Sequence, residues 1–464
     1  MIPSLLSPSL ALLLGFGKKQ THPGDMESDD DKRPRSGGGE DDSGADYALA
    51  IQDIQRRLRR KSRDRLRGKI ADLLRLINTP LADIIRDHAL PYLPAASVLR
   101  FRSVSASWSQ RISSPLFAVT QSRCHRSISG LFCSAASLPS FAPFDPVAHA
   151  LPDPSLSFLP SSTIVVRSSS NGLLCCFTPF SRPSYFVCNP ATADWTAIPP
   201  PPLHPGADPA LALIFEPSVP NLESHYAIVI AFQIDRVEGV YGFQTFSSAA
   251  GSWWVSAEVC VAECIIADSG VSAGGAAYWR TTMQTVVGYD PSADAVKMAP
   301  WPAGYEAEAR WELGEMAGRL CCAAVTPATA AVYALGPSDR WSLLASFDVV
   351  KVDGEEEEEE EEEEPKGSRP IVFKKPPQPL RFQSGNLEAL FWLEGRVVGV
   401  DLAGRRVRAV KFDGPQPAPG VDYVSHINTL APVVPQVAST SAAAGPAVQG
   451  EGSSLESPKN RESA

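Results

Sequence analysis

The apolar residues between Asn78 and Phe117 recur three and four positions apart in short bursts. This spacing predicts three short helices. About forty residues in short helices bury few side chains among themselves, so the apolar face of this unit is expected to meet a partner. The bursts consist of Leu81, Ile84 and Ile85, then Leu90 and Leu93, then Val98, Leu99, Val104 and Trp108.

Capping residues and prolines define the expected ends of these helices. Thr79 is placed to cap the first helix, with Pro80 at the first helical position. Pro91 lacks a backbone donor and disfavours helix at the residue before it, so the first helix should end near Leu90 or one residue earlier. Ser97 is expected to cap the next helix.

From about residue 131 to residue 433 the pattern changes to short β-like runs broken by Gly, Pro, Asn and Asp. Several runs form hairpins around a turn, and the copies recur at roughly 45 to 60 residues, near the spacing of propeller blades. The pattern predicts a β-propeller, with an irregular β-sandwich as the alternative. The predicted hairpins lie at 185–199, 244–254, 286–298, 332–343 and 397–410, and the preceding strands at 172–176, 275–279, 318–322 and 390–393.

Charge and composition separate the flanking segments from these two regions. The formal net charge is −10, and the ten glutamates from Glu355 to Glu364 account for all of it. Like charges repel, so residues 353–370 are predicted to form an acidic insertion loop. Residues 1–46 and 434–464 are rich in small and polar residues and are expected to be disordered. The apolar Met1–Leu14 leaves open a targeting segment, although it lacks a positive n-region.

Residues 47–77 predict a basic amphipathic helix or linker. Nine Lys/Arg residues occur between Arg56 and Lys69, against the single acid Asp64. This cluster is interpreted as a solvated helix face, with a nuclear localisation signal or a nucleic-acid patch as alternatives. No aromatic residues are interleaved for base stacking, which disfavours nucleic acid as a partner.

The helical segment resembles the F-box. The resemblance is carried by the run 99–105, LRFRSVS, with Trp108 and the run 112–115, ISSP, after it. It implies a substrate-receptor subunit of an SCF-type ubiquitin ligase, which binds a Skp-type adaptor and through it a cullin. The residues expected to bind the adaptor are Pro80, Leu81, Ile84, Ile85, Leu90, Leu93, Pro94, Val98, Leu99, Val104 and Trp108.

The β-rich region resembles the F-box-associated, kelch-like domain of plant F-box proteins. The run 169–175, SSNGLLC, and the hairpin 188–192, CNPAT, carry this resemblance, together with Ser252-Trp253 and the run 276–279, AAYW. It implies that the propeller binds a target protein. The predicted fold class is thus an α+β multidomain chain, with a small three-helix F-box at 78–120 and an all-β, kelch-like propeller at 121–433.

Two places carry candidate catalytic chemistry. Residues 270–274, GVSAG, match a nucleophile elbow, but a strand and not a helix is expected to follow, so Ser272 is interpreted as a turn residue. Cys260 and Cys264 share one strand face as buried neighbours in this interpretation, and no second Cys/His pair stands at zinc-site spacing. No cofactor and no metal is expected, and the chain is interpreted as non-catalytic.

Cysteine usage and partners complete the prediction. The nine cysteines are odd in number and lie in predicted strands, which indicates reduced, mostly buried thiols in a cytoplasmic or nuclear protein. Two rival functions stay open. One is a propeller scaffold whose helices only cap the propeller, and the other is a propeller enzyme of the carbohydrate-oxidising type. No membrane partner is predicted.

Overall fold

In the part of the chain that the structure describes, three α-helices lead into a ring of mainly antiparallel sheets. The computed structural model describes residues 85–435, apart from residues 125, 135–138, 181, 236, 303–308, 351–370, 405 and 412–421. The predictions for residues 1–84, for the glutamate run and for residues 436–464 lie outside the described residues, and so do Pro80, Leu81 and Ile84.

The helices are α1 (Ala95–Phe101), α2 (Ala106–Ile112) and α3 (Pro115–Cys124). A π-helical turn (Ile85–Ala89) and a 3₁₀ turn (Leu90–Tyr92) precede them. The prediction that Ser97 caps α1 was wrong: the helix begins two residues earlier, and the carbonyl of Pro94 accepts hydrogen bonds from the amides of Ser97 and Val98. The cap that the sequence analysis missed is Ser105, whose side chain accepts the Trp108 amide of α2 at 3.3 Å.

Each of five sheets contains four or more strands in the described residues. The first is formed by β3 (Val165–Ser170), β4 (Leu173–Phe177), β5 (Tyr185–Asn189) and β6 (Asp194–Ile198). The second is formed by β7 (Ala210–Ile214), β8 (Ala227–Asp235), β9 (Val240–Ser247) and β10 (Ser252–Val261). The third is formed by β11 (Val271–Ala273), β12 (Ala276–Arg280), β13 (Thr285–Asp290) and β14 (Ala295–Pro300).

The remaining sheets follow the same plan with additions. The fourth contains β15 (Arg310–Met316), β16 (Arg319–Val325), β17 (Thr329–Leu335) and β18 (Trp341–Val349), with β19 (Val372–Phe373) and β21 (Phe382–Ser384) at its edges. The fifth contains β20 (Gln378–Pro379), β22 (Glu388–Leu393), β23 (Arg396–Asp401) and β24 (Arg406–Lys411). A three-stranded closing sheet contains β2 (Ser140–Pro143), β1 (Gly130–Ser134) and β25 (Asp422–His426).

The sheets are the blades of a β-propeller, which confirms the predicted fold class. Their inner strands form a ring in the order β3, β7, β11, β15, β21 and β25, with β25 next to β3 again. Within each of the five blades the later strands pair antiparallel, in the hairpins that the sequence predicted. The closing sheet joins the two ends of the propeller, because β25 pairs antiparallel with β1.

Apolar clusters fill the spaces between neighbouring blades. Adjacent cysteines show this most directly, since successive side chains of a strand point to opposite faces. Cys175 packs in the cluster between the first and second blades, whereas Cys176 packs between the first blade and the closing sheet. Cys321 and Cys322 divide in the same way between two clusters. These thiols are packing residues, as predicted.

The centre of the ring is closed by side chains that reach across it. The guanidinium of Arg381 donates to the carbonyls of Asp268, Gly270 and Tyr423. Gln383 donates to the hydroxyl of Ser272 at 3.0 Å. The space left between these groups is about 10 Å³, roughly one water molecule.

The interpretation of Ser272 as a turn residue was wrong. Ser272 lies in the middle of β11, and its side chain is buried against Gln383. The glycines that follow, Gly274 and Gly275, form the turn and both have positive φ. A buried hydroxyl in a strand lacks the exposed strand-to-helix elbow that an activated serine needs.

Deleting residues 355–364 should leave the melting temperature of the chain within about 2 °C of the parent, because a shorter surface loop changes closure entropy little. The strands on either side hold the loop ends together: Val349 and Phe373 are paired, and the Val350 amide donates to the carbonyl of Phe373 at 2.9 Å. Thermal unfolding followed by circular dichroism measures this. A fall of many degrees would contradict the assignment of the run to a loop.

Candidate interaction surfaces

The helices and the propeller share one hydrophobic cluster. It unites Leu90, Val98 and Phe117 of the helical segment with Ala191 and Leu430 of the propeller, and further contains Ala95, Ile112 and Ala118. Ala191 belongs to the turn between β5 and β6, so the helices lie on the propeller face that carries this turn. We call it the helix-bearing face.

A buried glutamine connects the same parts by hydrogen bonds. The side chain of Gln121 in α3 accepts the Leu430 amide at 3.3 Å and donates to the Leu93 carbonyl at 3.4 Å. Gln121 has no exposed surface, so the oxygen and the nitrogen of its side-chain amide both form hydrogen bonds within the protein. Because buried polar groups are costly when unpaired, Gln121 fixes the register of α3 against the C-terminal strand region.

The predicted adaptor-binding residues divide by exposure. Leu90 and Val98 are fully buried in the shared cluster, and Leu93, Leu99 and Trp108 pack partly buried against it. Ile85 and Val104 are exposed. Pro94 precedes α1 and is partly buried. The structure thus brings most of these residues together on one small helical unit, although only some of them face solvent.

Two further apolar side chains on this unit escaped the sequence analysis. Tyr92 is 66% exposed and Leu116 is 50% exposed. Tyr92 ends the 3₁₀ turn and Leu116 lies at the start of α3, so neither follows the helical spacing on which the prediction relied. Their exposure, and not their spacing, marks them as candidate contact residues.

A cleft of about 710 Å³ opens on the fifth blade. Its walls include the turn at Gly385–Leu387, the turn residue Ala403 and the β24 residues Arg406, Val407 and Arg408. The turn at Ala403 joins the antiparallel strands β23 and β24 in the same sense as the β5–β6 turn, so this part of the cleft lies on the helix-bearing face. Four of the residues that line the cleft are small; they are Ala317, Gly385, Gly399 and Ala403.

A fixed ion pair forms one wall of the cleft. Arg408 donates through Nε and Nη2 to the two carboxylate oxygens of Glu388, at 2.7 and 3.0 Å. Nη2 also donates to the Ile128 carbonyl, and the guanidinium lies 4.5 Å from the ring centre of Phe144. A Cβ on Gly399 would come within 2.4 Å of Glu388, so glycine is needed for this pair to fit. Burial raises the pKa of Glu388 despite the attraction of Arg408.

A second buried carboxyl lies near the cleft at the end of β15. Burial raises the pKa of Glu315 from its ordinary value of 4.5 to about 7. The Gly318 amide donates to Glu315, and the positive charge of Arg126 partly opposes the effect of burial. This carboxyl changes its charge close to neutral pH.

The described part of the chain contains neither a disulfide nor a cluster of metal-binding side chains. All nine cysteines are free, and seven of them are buried. The expectation that Cys260 and Cys264 are buried neighbours was wrong for Cys264, which is exposed beyond the end of β10. Among the described residues no group of three His, Cys, Asp or Glu side chains could hold a metal ion. Nor does any helix there have the length and apolar character required to cross a membrane.

Replacing Leu90 by Ala should lower the free energy of unfolding by about 2–5 kcal/mol, because a fully buried leucine leaves a cavity in the shared cluster. Leu116→Ala is the matched control, since half of that side chain is already exposed. Chemical denaturation of the whole chain measures both. Equal stability of the two variants would contradict a shared core of helices and propeller.

The raised pKa of Glu315 predicts a pH dependence of stability. The folded state holds a proton that the unfolded chain releases near pH 4.5, so the stabilisation is present below pH 4.5 and is lost as the pH rises through about 7. Relative to Glu315→Gln, the free energy of unfolding of the parent should fall by about 1–3 kcal/mol as the pH rises from 4.5 to about 7. Glu394→Gln, at an exposed glutamate, should keep the dependence of the parent. Denaturation curves at pH 5 and 7.5 that superimpose for parent and Glu315→Gln would refute the shift.

Comparisons with known proteins agree with this architecture. Residues 150–355 match the family model described as F-box protein At3g26010-like, beta-propeller. F-box protein At5g07610 of Arabidopsis thaliana is 28% identical over 218 residues, which cover 42% of this chain and 49% of that protein. F-box protein At3g26010 of the same plant is 32% identical over 138 residues, covering 27% of this chain and 30% of that protein.

Among solved structures, a fucose-specific lectin from Aleuria aurantia is 13% identical, with a TM-score of 0.30 over 55% of this chain and 79% of the lectin chain. A likeness of this degree says nothing of function. The matched parts span about half or less of the two Arabidopsis proteins. Residues 150–355 and the matched parts of the two Arabidopsis proteins therefore make this chain similar to plant F-box proteins that carry a β-propeller.

Proposed function

We propose that the chain is a non-catalytic substrate-receptor subunit of an SCF-type cullin-RING ubiquitin ligase. The helices bind a Skp-type adaptor, and through it a cullin, while the propeller binds a target protein. One observation carries the proposal: the helical unit is fixed to the propeller on one side and keeps large apolar side chains exposed elsewhere. These are Ile85, Tyr92, Val104 and Leu116.

The contribution of such a receptor is proximity. A target on the propeller is held near a ubiquitin-charged enzyme because the shared cluster and Gln121 attach the helices to the propeller. The bond chemistry takes place on other subunits. Burial raises the pKa of Cys260 to about 11 and that of Cys321 to about 12, so these thiols are poor nucleophiles. A cytoplasmic or nuclear location is part of the proposal.

The shared cluster also favours a second candidate function. If Leu90 and Val98 serve only to seat the helices on the propeller, the helices are a cap and the protein is a scaffold without a ligase. Removing the helices cannot separate the two functions, because it would expose Ala191 and Leu430. Surface substitutions can.

The double variant Tyr92→Ala, Val104→Asp should lose capture of a Skp-type adaptor by about 30-fold or more, as expected for an apolar interface anchor. Both side chains are more than half exposed, so the melting temperature should stay that of the parent. Binding is measured by titrating purified adaptor onto the immobilised chain.

The matched control is Val237→Asp, at a valine that is 96% exposed between β8 and β9. It adds the same charge to the propeller and should leave adaptor binding unchanged. Full adaptor binding by a correctly folded double variant would refute the proposed surface. A parent chain that binds no adaptor would favour the scaffold.

A further inference from the structure

The cleft on the fifth blade has the features of a peptide-binding site. One of these features is that β24 contributes to its wall. Arg406, Val407 and Arg408 are consecutive in β24, and all three line the cleft. Side chains of a strand alternate between its faces, so lining by three consecutive residues means that the backbone of β24 contributes to the cleft as well as its side chains. In the described residues β24 pairs only with β23, which leaves the backbone groups of its other edge available.

An extended segment of another protein can use such an edge. Adding a strand gives main-chain hydrogen bonds, and pockets for alternate side chains give specificity. Natural edge strands are often protected by charge, and β24 carries Arg406, Arg408 and Lys411. Protection alone, however, does not account for the adjoining cleft of about 710 Å³, which falls within the size range of ligand sites.

The charges of the cleft indicate the chemistry of the segment. Arg408 is neutralised by Glu388 and held by Ile128 and Phe144, so it is part of the wall. Asp401 accepts the amides of Ala403 and Gly404 through Oδ1, at 3.0 Å each, and thereby shapes its own turn.

Arg406 differs from these groups. It is exposed, it lies two residues from Arg408 on the same strand face, and it makes no ion pair or hydrogen bond with the described residues. Asp401 lies opposite Arg406 in the register of β23 and β24, but within that part of the chain no ion pair joins the two. The guanidinium of Arg406 is therefore available to a further carboxylate, the group with which it pairs best. Apolar surface from Leu387 and from Val407, which is 47% exposed, flanks it.

We propose that this cleft is the target site of the receptor. It takes an extended peptide segment that adds to the edge of β24 and places an Asp or Glu carboxylate on Arg406. This inference rests on the proposed function for its biological role, but its chemistry can be tested separately. Because the cleft lies on the helix-bearing face, the target is held on the same side of the propeller as the adaptor.

Three pools of rhodamine-labelled pentapeptides test the proposal on the full chain. Each pool has a fixed central residue, Glu, Gln or Lys, between randomised flanking positions without cysteine. Fluorescence anisotropy should show the Glu pool binding at least about threefold more tightly than the Gln pool, as one exposed ion pair allows, and the Lys pool most weakly. Arg406→Gln should make the Glu and Gln pools equal. The control Arg396→Gln, at an exposed arginine of β23 outside the cleft, should keep the preference.

A bulky residue provides a second variant that leaves the charges in place. Ala403→Trp should fill the cleft and abolish binding of all pools. Ala293→Trp is its matched control, because Ala293 lies in the corresponding turn between β13 and β14. It is one position further from Asp290 than Ala403 is from Asp401, and its amide likewise donates to the aspartate of its turn. Both alanines are exposed, so both variants should fold.

Equal binding of the Glu and Gln pools to the parent, or binding retained in Ala403→Trp, would overturn the inference. So would a parent that binds no pool. Adaptor capture measured on the same proteins keeps the two proposals apart. If the parent captures adaptor but binds no pool, the cleft assignment alone fails, whereas loss of adaptor capture by the parent refutes the receptor function whatever the peptides do.

Discussion

The pairing of β25 with β1 is the interaction on which the rest of the structure depends. Five residue pairs, from Gly130 with His426 to Ser134 with Asp422, join strands that are almost 300 positions apart in sequence. Without them the closing sheet would lose its inner strand and the ring of blades would have two open edges. The residues that follow β25 then run beneath the helices, where Leu430 is buried in the shared cluster. The chain that closes the ring therefore also supplies a contact for the helices.

Polar groups in the centre make this closure specific. Arg381, just before β21, and Gln383 in β21 connect this edge of the fourth sheet with the third blade and with the closing strand, through backbone carbonyls, Ser272 and Ser425. His426, at the end of β25, is fully buried beside Ser169, and burial lowers its pKa to about 3, so it stays neutral. Apolar side chains alone would allow the inner strands to pack in several registers. Buried polar groups favour one register, because in any other they would lose their partners, which costs free energy. Among the described residues, about 10 Å³ of space is left between these groups.

The candidate interaction sites therefore lie on the outer surfaces of the described structure. The blades pack through apolar clusters along most of their height, and the cleft opens where small residues and the Glu388–Arg408 pair replace such a cluster. The helical unit shows a related division, since Leu90 and Val98 hold it to the propeller and Tyr92 and Val104 are exposed. Residues that support the fold and residues available to partners thus alternate within a few positions of each other.

The sequence by itself determined the helical unit, the propeller class and the outer hairpins, because these depend on local spacing and turn residues. Asn189, Asp290 and Asp401 each accept an amide of their own turn, which is a local signal. The inner strands escaped the sequence analysis: β11 has three residues, and β3 ends in three serines whose partners lie on other strands. Only the tertiary structure decided which apolar side chains of the helices are buried and where a cleft is left open, because both follow from contacts between residues such as Leu90 and Leu430 that are distant in the chain.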